Sequence, residues 1–325
     1  MKALTEKQRQ IYDYIISFQR DQGTITAQVD SRDRTFLIEA QLARGRRRKL
    51  LVNRVKLKTA AELTGIVQTV LFCPEDLALI KSGAAERRAF LDHAICQLRP
   101  RYGEALAQYH KLLDHKTRIL RDWEKNPSLL EVLEDFNEAM ARAGALLIHY
   151  RAHFVGKLAP RAAQIQRDFS GDREELTLSY QTVGTVRNPL GPTVSIYEDL
   201  RAHQDSHRRA ELEARSCLSG PHKDDLAAWI DGQPARQFAS QGQTRTAALS
   251  LKLAERELFE DDTGQWPVLL LDDVLSELDA RRQDFVLDRI TGGQVFITSC
   301  EAPAGEISRG KILHIHQGAL VDSPN

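Results

Sequence analysis

Two neighbouring carboxylates, Asp272 and Asp273, close the apolar run Pro267-Val268-Leu269-Leu270-Leu271. A short apolar run ending in acids reads as a buried parallel strand that delivers them to the carboxyl edge of a sheet, where open α/β proteins bind ligands. The chemistry such a pair suits is that of a hard cation. Mg²⁺ keeps most of its waters and needs one or two carboxylates beside nucleotide phosphates, so Asp272 falls at the ion and Asp273 at an attacking water. Upstream, Ser240-Gln241-Gly242-Gln243-Thr244-Arg245 opens a helix whose apolar positions include Ala247, Ala248, Leu251 and Leu258. Its first amides and its glycine present an anion site at a helix N-terminus. Each piece also has a plainer reading, since an Asp pair can cap the next helix and Ser-x-Gly-x can be an ordinary N-cap. Followed by the acidic turn Ser276-Glu277-Leu278-Asp279, the two together argue for Mg²⁺ and phosphate.

These motifs resemble those of ABC-type ATPases: Ser240-Gln241-Gly242-Gln243 the signature, 269–273 the Walker B strand, 276–279 the D-loop, and Thr298 the switch position, usually a histidine. More narrowly, the chain resembles the RecF family of bacterial recombination-repair ATPases. Further matches lie in Cys217-Leu218-Ser219-Gly220-Pro221-His222-Lys223-Asp224-Asp225, in Phe72-Cys73-Pro74-Glu75-Asp76-Leu77 and in Ala85-Glu86-Arg87-Arg88-Ala89-Phe90-Leu91-Asp92. The resemblance covers roughly Thr24 to the C-terminus. It implies an α/β fold of the P-loop NTPase type, ABC-ATPase-like, with a mixed sheet and an inserted α-helical lobe. It implies ATP and Mg²⁺ as cofactors, and a homodimer around ATP that acts on single-stranded or gapped DNA in replication, repair and the SOS response. Mediator partners of the RecO/RecR type would help load recombinase. On the same ground Asp272 holds Mg²⁺ and Asp273 acts as base or orients water. Ser240 with Gly242 would grip the partner's γ-phosphate, Gln241, Gln243, Ser276 and Asp279 are further nucleotide-binding positions of the signature and D-loop, and the Thr298 hydroxyl would sense the terminal phosphate. His222 and Lys223 are placed near nucleotide or DNA, although by chemistry alone they form a polar turn. The loop after 66–72 occupies the Q-loop position without a central glutamine, which leaves Glu75 or Asp76 for that work or simply a well-capped helix start.

The 325 residues are enough for two domains and a sizeable core. Forty-five basic and forty-five acidic residues cancel, so no global field draws DNA, and any nucleic-acid surface must be a local patch or be made by a dimer. Four scattered cysteines, no signal peptide and no membrane-length apolar span fit a reducing cytoplasm and no membrane partner.

The elements that must position the site follow from periodicity. Residues 1–23 pattern as an extra helix, read as an added or misjoined start, with Ile11, Tyr14, Ile15 and Phe18 on one face. Residues 1–8 resemble the opening helix of the LexA repressor's DNA-binding domain, without the helices that would complete a helix-turn-helix. Residues 24–82 form the β-rich part of the ATPase lobe, with strands near 26–29, 36–40 and 50–53 and a buried strand at 66–72. The basic turn Arg46, Arg47, Arg48, Lys49 is either a phosphate contact or a solvated turn. Residues 83–215 make the helical lobe, nearly continuous to 167 and folded back at Asn126-Pro127-Ser128. His149 with His153, and His203 with His207, have metal-ligand spacing but no third ligand, so both pairs read as surface histidines. Residues 216–325 return the chain to the ATPase lobe, with a hairpin at Asp231-Gly232, a helix at 280–290, a core strand at 294–298 and a closing strand at 311–316.

A nucleotide site of this class uses a loop G-x-x-x-x-G-K-[ST], whose amides and lysine hold the phosphates. The sequence contains no such run; Gly45-Arg46-Arg47-Arg48-Lys49 has a single glycine and no Ser or Thr after the lysine. The resemblance places the loop ahead of the strands that begin at Thr24. The expectation is therefore a chain lacking the nucleotide-loop portion, with apolar surface and a sheet edge exposed, and unable to hydrolyse ATP alone. The loss of several charge-assisted hydrogen bonds, each worth roughly 1.5–3 kcal/mol, would weaken ATP binding by orders of magnitude. The alternatives to an ATP-dependent repair dimer are a non-catalytic DNA- and partner-binding module, or an inactive incomplete product.

Overall fold

The structure is a computed structural model that describes residues 23–31, 34–43, 45–63, 65–275, 278–300, 310–317 and 319–321. The helix expected over 1–23 lies outside these except for Gly23, which begins a strand. The chain forms two compact units, one from 1–67 with 301–325 and one continuous from 68 to 300.

The smaller unit holds an antiparallel meander of β1 (Gly23–Ser31), β2 (Arg34–Leu42), β3 (Lys49–Val52) and β4 (Val55–Lys56), paired in that order. The two-residue β3–β4 turn puts Asn53 and Arg54 at φ 49° and 68°. A turn with both central residues left-handed matches the natural strand twist, and asparagine tolerates it. Asn53 also pins the neighbouring strand, its Oδ1 accepting from the Leu37 amide at 2.9 Å and its own amide donating to the Leu37 carbonyl at 2.8 Å. A second hairpin pairs β11 (His314–His316) with β12 (Ala319–Val321), shorter than the strand expected over 311–316.

The larger unit is built on a parallel sheet of β5 (Thr69–Phe72), β9 (Val268–Asp272) and β10 (Val295–Thr298), in the order β10-β9-β5. An antiparallel sheet of β6 (Leu176–Gln181), β7 (Asp225–Ile230) and β8 (Gln233–Pro234) accompanies it. The helices are α1 (Ala78–Lys81), α2 (Ala84–Leu98), α3 (Pro100–Asp122), α4 (Leu133–Ser170), α5 (Thr193–Ala214), α6 (Ala235–Phe238), α7 (Gln241–Thr263) and α8 (Ala280–Arg289). Asn126-Pro127-Ser128 makes the expected turn and starts a short 3-10 segment, Pro127–Leu130. The 38-residue α4 is the spine, packed against α3, α5 and α7. Its stripe of Met140, Leu147, Phe154, Leu158 and Ile165 is buried at helical spacing.

In the parallel sheet one face is buried through Val70, Phe72, Leu269 and Leu271. The other carries a row aligned across the three strands, Leu71, Leu270 and Phe296, in which Leu71 is 46% and Phe296 51% exposed. The expectation of fully buried strands therefore holds for one face. Lys116 on α3 and Glu211 on α5 form a fully buried ion pair at 2.6 Å. Glu211 also accepts from the Leu218 amide at 2.8 Å, tying the lobe to the segment that leads into β7.

Candidate functional site

Parallel register sets Thr298 of β10 opposite Asp272 of β9. There the Thr298 hydroxyl donates to Asp272 Oδ1 at 2.5 Å. The Asp273 amide turns back to donate to both the Thr298 carbonyl and its hydroxyl oxygen, at 3.1 Å each. That reversal puts Asp273 at φ 54°, a left-handed conformation that aspartate accepts more readily than most residues. Cys300 Sγ lies 3.6 Å from Asp273 Oδ2. Asp272, Asp273 and Thr298 are thus gathered at the carboxyl edge of the sheet, with Asp272 exposed and Asp273 half-buried.

Among the described residues no group of three His, Cys, Asp or Glu could hold a metal ion. Mg²⁺ does not require one, because a single exposed carboxylate beside phosphate oxygens and waters is its usual protein share, and Asp272 fits that role.

The signature stretch forms the N-terminus of α7. Ser240 is its N-cap in a reciprocal capping box: Ser240 Oγ accepts from the Gln243 amide at 3.2 Å, and Gln243 Oε1 accepts from the Ser240 amide at 2.9 Å. Two of the proposed phosphate-binding side chains therefore hold the helix tip in shape. Gln241 is exposed, and a methyl at Gly242 would meet nothing nearer than an Arg282 guanidinium nitrogen at 4.0 Å. Arg282 belongs to the first turn of α8, where it pairs with Asp279 at 2.8 Å. Asp279 in turn caps α8 by accepting from the Arg282 amide at 3.0 Å, and that amide and the guanidinium hold its carboxyl below the usual carboxylate range. The D-loop aspartate is thus held by an arginine whose guanidinium lies near the signature glycine without bonding to it; Ser276 lies outside the described residues. A small pocket lined by Phe72, Leu77, Arg245, Leu249 and Val274 joins the end of β5, the first turns of α7 and the segment after β9.

At the Q-loop position Asp76 is used locally, accepting from the Cys73 amide at 2.9 Å in a capping box. Burial, with Asp76 and Glu75 beside it, pushes the Cys73 thiol up to about 12. Arg46, Arg47, Arg48 and Lys49 are all exposed in the smaller unit and make no ion pair among the described residues.

Sequence reasoning missed a buried polar cluster beneath residues 217–225. Arg151 of α4 donates to both oxygens of Asp92, at 2.8 and 3.0 Å, and to the Pro221 carbonyl at 2.8 Å. Tyr102 donates to Asp92 and Tyr180 to Asp224. Arg87 forks onto Asp225 at 2.6 and 2.9 Å, and Arg88 donates to the Asp224 carbonyl at 2.7 Å. Burial raises Asp224 to about 6 against the opposing pull of Tyr180 and Arg151. His222 faces inward, within 2.7 Å of the Tyr109 hydroxyl and 3.1 Å of the Cys217 carbonyl. Burial lowers its pKa to about 4, so the ring is neutral at physiological pH. The motifs at 85–92 and 217–225 signalled the acids and arginines at two corners; nothing local marked Arg151 as their hub.

The surface reading of the histidine pairs needs correction at His203, which is buried and lies 2.6 Å from Ser219 Oγ, stacked on His207. An apolar-face helix position with one hydroxyl partner explains it without a metal.

No family model matches the chain. A curated relative from Agathobacter rectalis, named DNA replication and repair protein RecF, is 35% identical over 313 residues, covering 94% of this chain and 82% of the relative. The chain belongs to the RecF family. A RecF of the same name from Clostridioides difficile is 36% identical over 84% of this chain and 74% of its own length. Among solved structures, one described as the recombination mediator protein RecF-ATP in the RecFOR pathway superposes with a TM-score of 0.83 at 34% identity, over 92% of this chain and 79% of the other. A companion RecF structure, described with ATPrS, also gives 0.83, at 33% identity. The mixed α/β architecture is that of RecF. No helix among the described residues is long and apolar enough to cross a membrane.

Proposed function

We propose that the chain acts as a RecF-type DNA replication and repair protein whose strand-end acids and signature helix close on ATP between two subunits. The observation that carries this is the Asp272–Thr298–Asp273 cluster at the carboxyl edge of a parallel sheet, in a chain of the same fold as an ATP-bearing RecF. Asp272 would hold Mg²⁺ together with nucleotide phosphates. Asp273, its backbone locked by Thr298, would orient the attacking water. Gln241, Gly242 and the free amides of the α7 tip, with Asp279 and Arg282 beside them, would meet the γ-phosphate presented by a partner subunit. Ser240 and Gln243 would serve chiefly by shaping that tip. DNA, single-stranded or gapped, and mediator proteins of the RecO/RecR type are the partners this reading assigns, with the exposed 46–49 turn as a phosphate contact. The location it assigns is the cytoplasm.

Since no phosphate loop of the G-x-x-x-x-G-K-[ST] form occurs in the sequence, the chain's contribution is tested in trans. Mixed with a RecF relative that carries the loop, it should sediment as an ATP-dependent heterodimer. Gly242→Asp, which has room for its side chain but sets a carboxylate against the phosphate, should abolish that species. Association indifferent to ATP or to Gly242→Asp would leave the non-catalytic module as the better account.

A further inference from the structure

A cavity of about 240 Å³ opens in the larger unit between the end of α2, the middle of α4 and the C-terminal end of α7. Its floor is apolar, with Ile95, Phe154 and Leu258 buried and Leu98 and Tyr150 as half-buried walls. The rim alternates in sign. Arg99 forks onto Asp262 with two bonds of 2.6 Å, and Arg161 pairs with Asp261. Lys157, exposed between them on α4, has no salt bridge among the described residues.

Size and charge together narrow the occupant. An apolar cavity of roughly 150 Å³ accepts a benzene ring, whereas drug-sized ligands use about 300–1,000 Å³. The space therefore suits one aromatic or branched aliphatic side chain and is too small for a nucleotide. With Arg99 and Arg161 already held by Asp262 and Asp261, Lys157 alone is left to attract an anion, too little charge to hold a nucleic-acid backbone. A polypeptide instead brings N–H donors for those carboxylates and can bring an acid for Lys157. We propose that this cavity is the docking site for a peptide segment of a partner protein that presents one bulky apolar side chain beside a carboxylate. The side chain fills the floor as a buried anchor and the carboxylate meets Lys157. On α7 the cavity residues Leu258, Asp261 and Asp262 lie about 24–30 Å along the helix from Gly242, so the proposal stands apart from the nucleotide reading.

The probe is a fluorescein-labelled peptide Gly-Ser-Asp-Phe-Gly with an amidated C-terminus, so that it carries one carboxylate beside one bulky apolar side chain, titrated with the whole chain and read by polarisation. Saturable binding is expected, weakened about tenfold or more when the peptide's Phe is replaced by Ser or when the protein carries Lys157→Glu. Lys157 is exposed, so that variant folds, and a peptide with lysine in place of the acid should bind it better than the parent does. Three results overturn the proposal: no saturable binding, equal affinity of parent and Lys157→Glu for the peptide, or binding at this rim of a poly-thymidylate oligonucleotide in place of the peptide.

Discussion

His222 shows what burial does to a residue that sequence alone leaves as part of a polar turn. Its ring bridges the Tyr109 hydroxyl and the Cys217 carbonyl, and its folded pKa of about 4 lies below the ordinary 6.5. The unfolded chain therefore takes the proton first. Stability on this account is complete above pH 6.5 and is lost as pH falls towards 4, by roughly 3 kcal/mol at about 1.4 kcal/mol per pH unit. Asp224 runs the other way, because a folded pKa of about 6 against 3.8 means that acidification through that window favours the folded state. The two offset each other in the parent, so the diagnostic quantity is a difference. Urea unfolding of parent and His222→Gln at pH 7.5 and pH 4.5 should show the parent losing stability relative to the variant; a constant difference would mean that the ring titrates alike in the folded and unfolded chain. Gly220 next door has φ 127°, and a methyl there would collide with the Tyr109 hydroxyl. Gly220→Ala should cost about 2–4 kcal/mol by strain and overpacking together, read as a lowered urea midpoint. The motif at 217–225 was visible in the sequence. Its reason was not, because Tyr109, Arg151 and Tyr180 approach it from distant parts of the chain.

Elements whose pattern is local were legible. The alternation in β1 to β3, the Asn126-Pro127-Ser128 turn, the Asp231-Gly232 hairpin and the capped start of α7 all follow from nearest-neighbour chemistry. Pairing between elements was not, and the ion pair of Lys116 and Glu211 is the clearest case: two charges on amphipathic helices that nothing in the sequence singles out and that prove to be fully buried. Removing one member strands the other. Lys116→Met should lower stability by about 3–5 kcal/mol in urea unfolding, and adding Glu211→Gln should restore part of it, since the amide oxygen can still accept from Leu218. If Lys116→Met unfolded like the parent, the pair would not be what holds α3 to α5.

Across the whole molecule, the acids at the end of β9 could be read from an apolar run and its two carboxylates, and the signature tip from a cap beside a glycine. The Thr298 bonds that lock Asp273 needed the parallel register, which links residues 25 apart. The division of the chain was less legible still, because the smaller unit is assembled from both of its ends, 1–67 and 301–325. That arrangement imposes an order on biosynthesis. The uninterrupted 68–300 unit is entirely available before the last segment of its neighbour has left the ribosome, so it should mature first, as domains released early generally do. A nascent polypeptide stalled beyond Cys300 should therefore already yield a protease-resistant 68–300 core, while the β1–β4 segment is still digested; equal protection of both would show that the ends do not wait for each other.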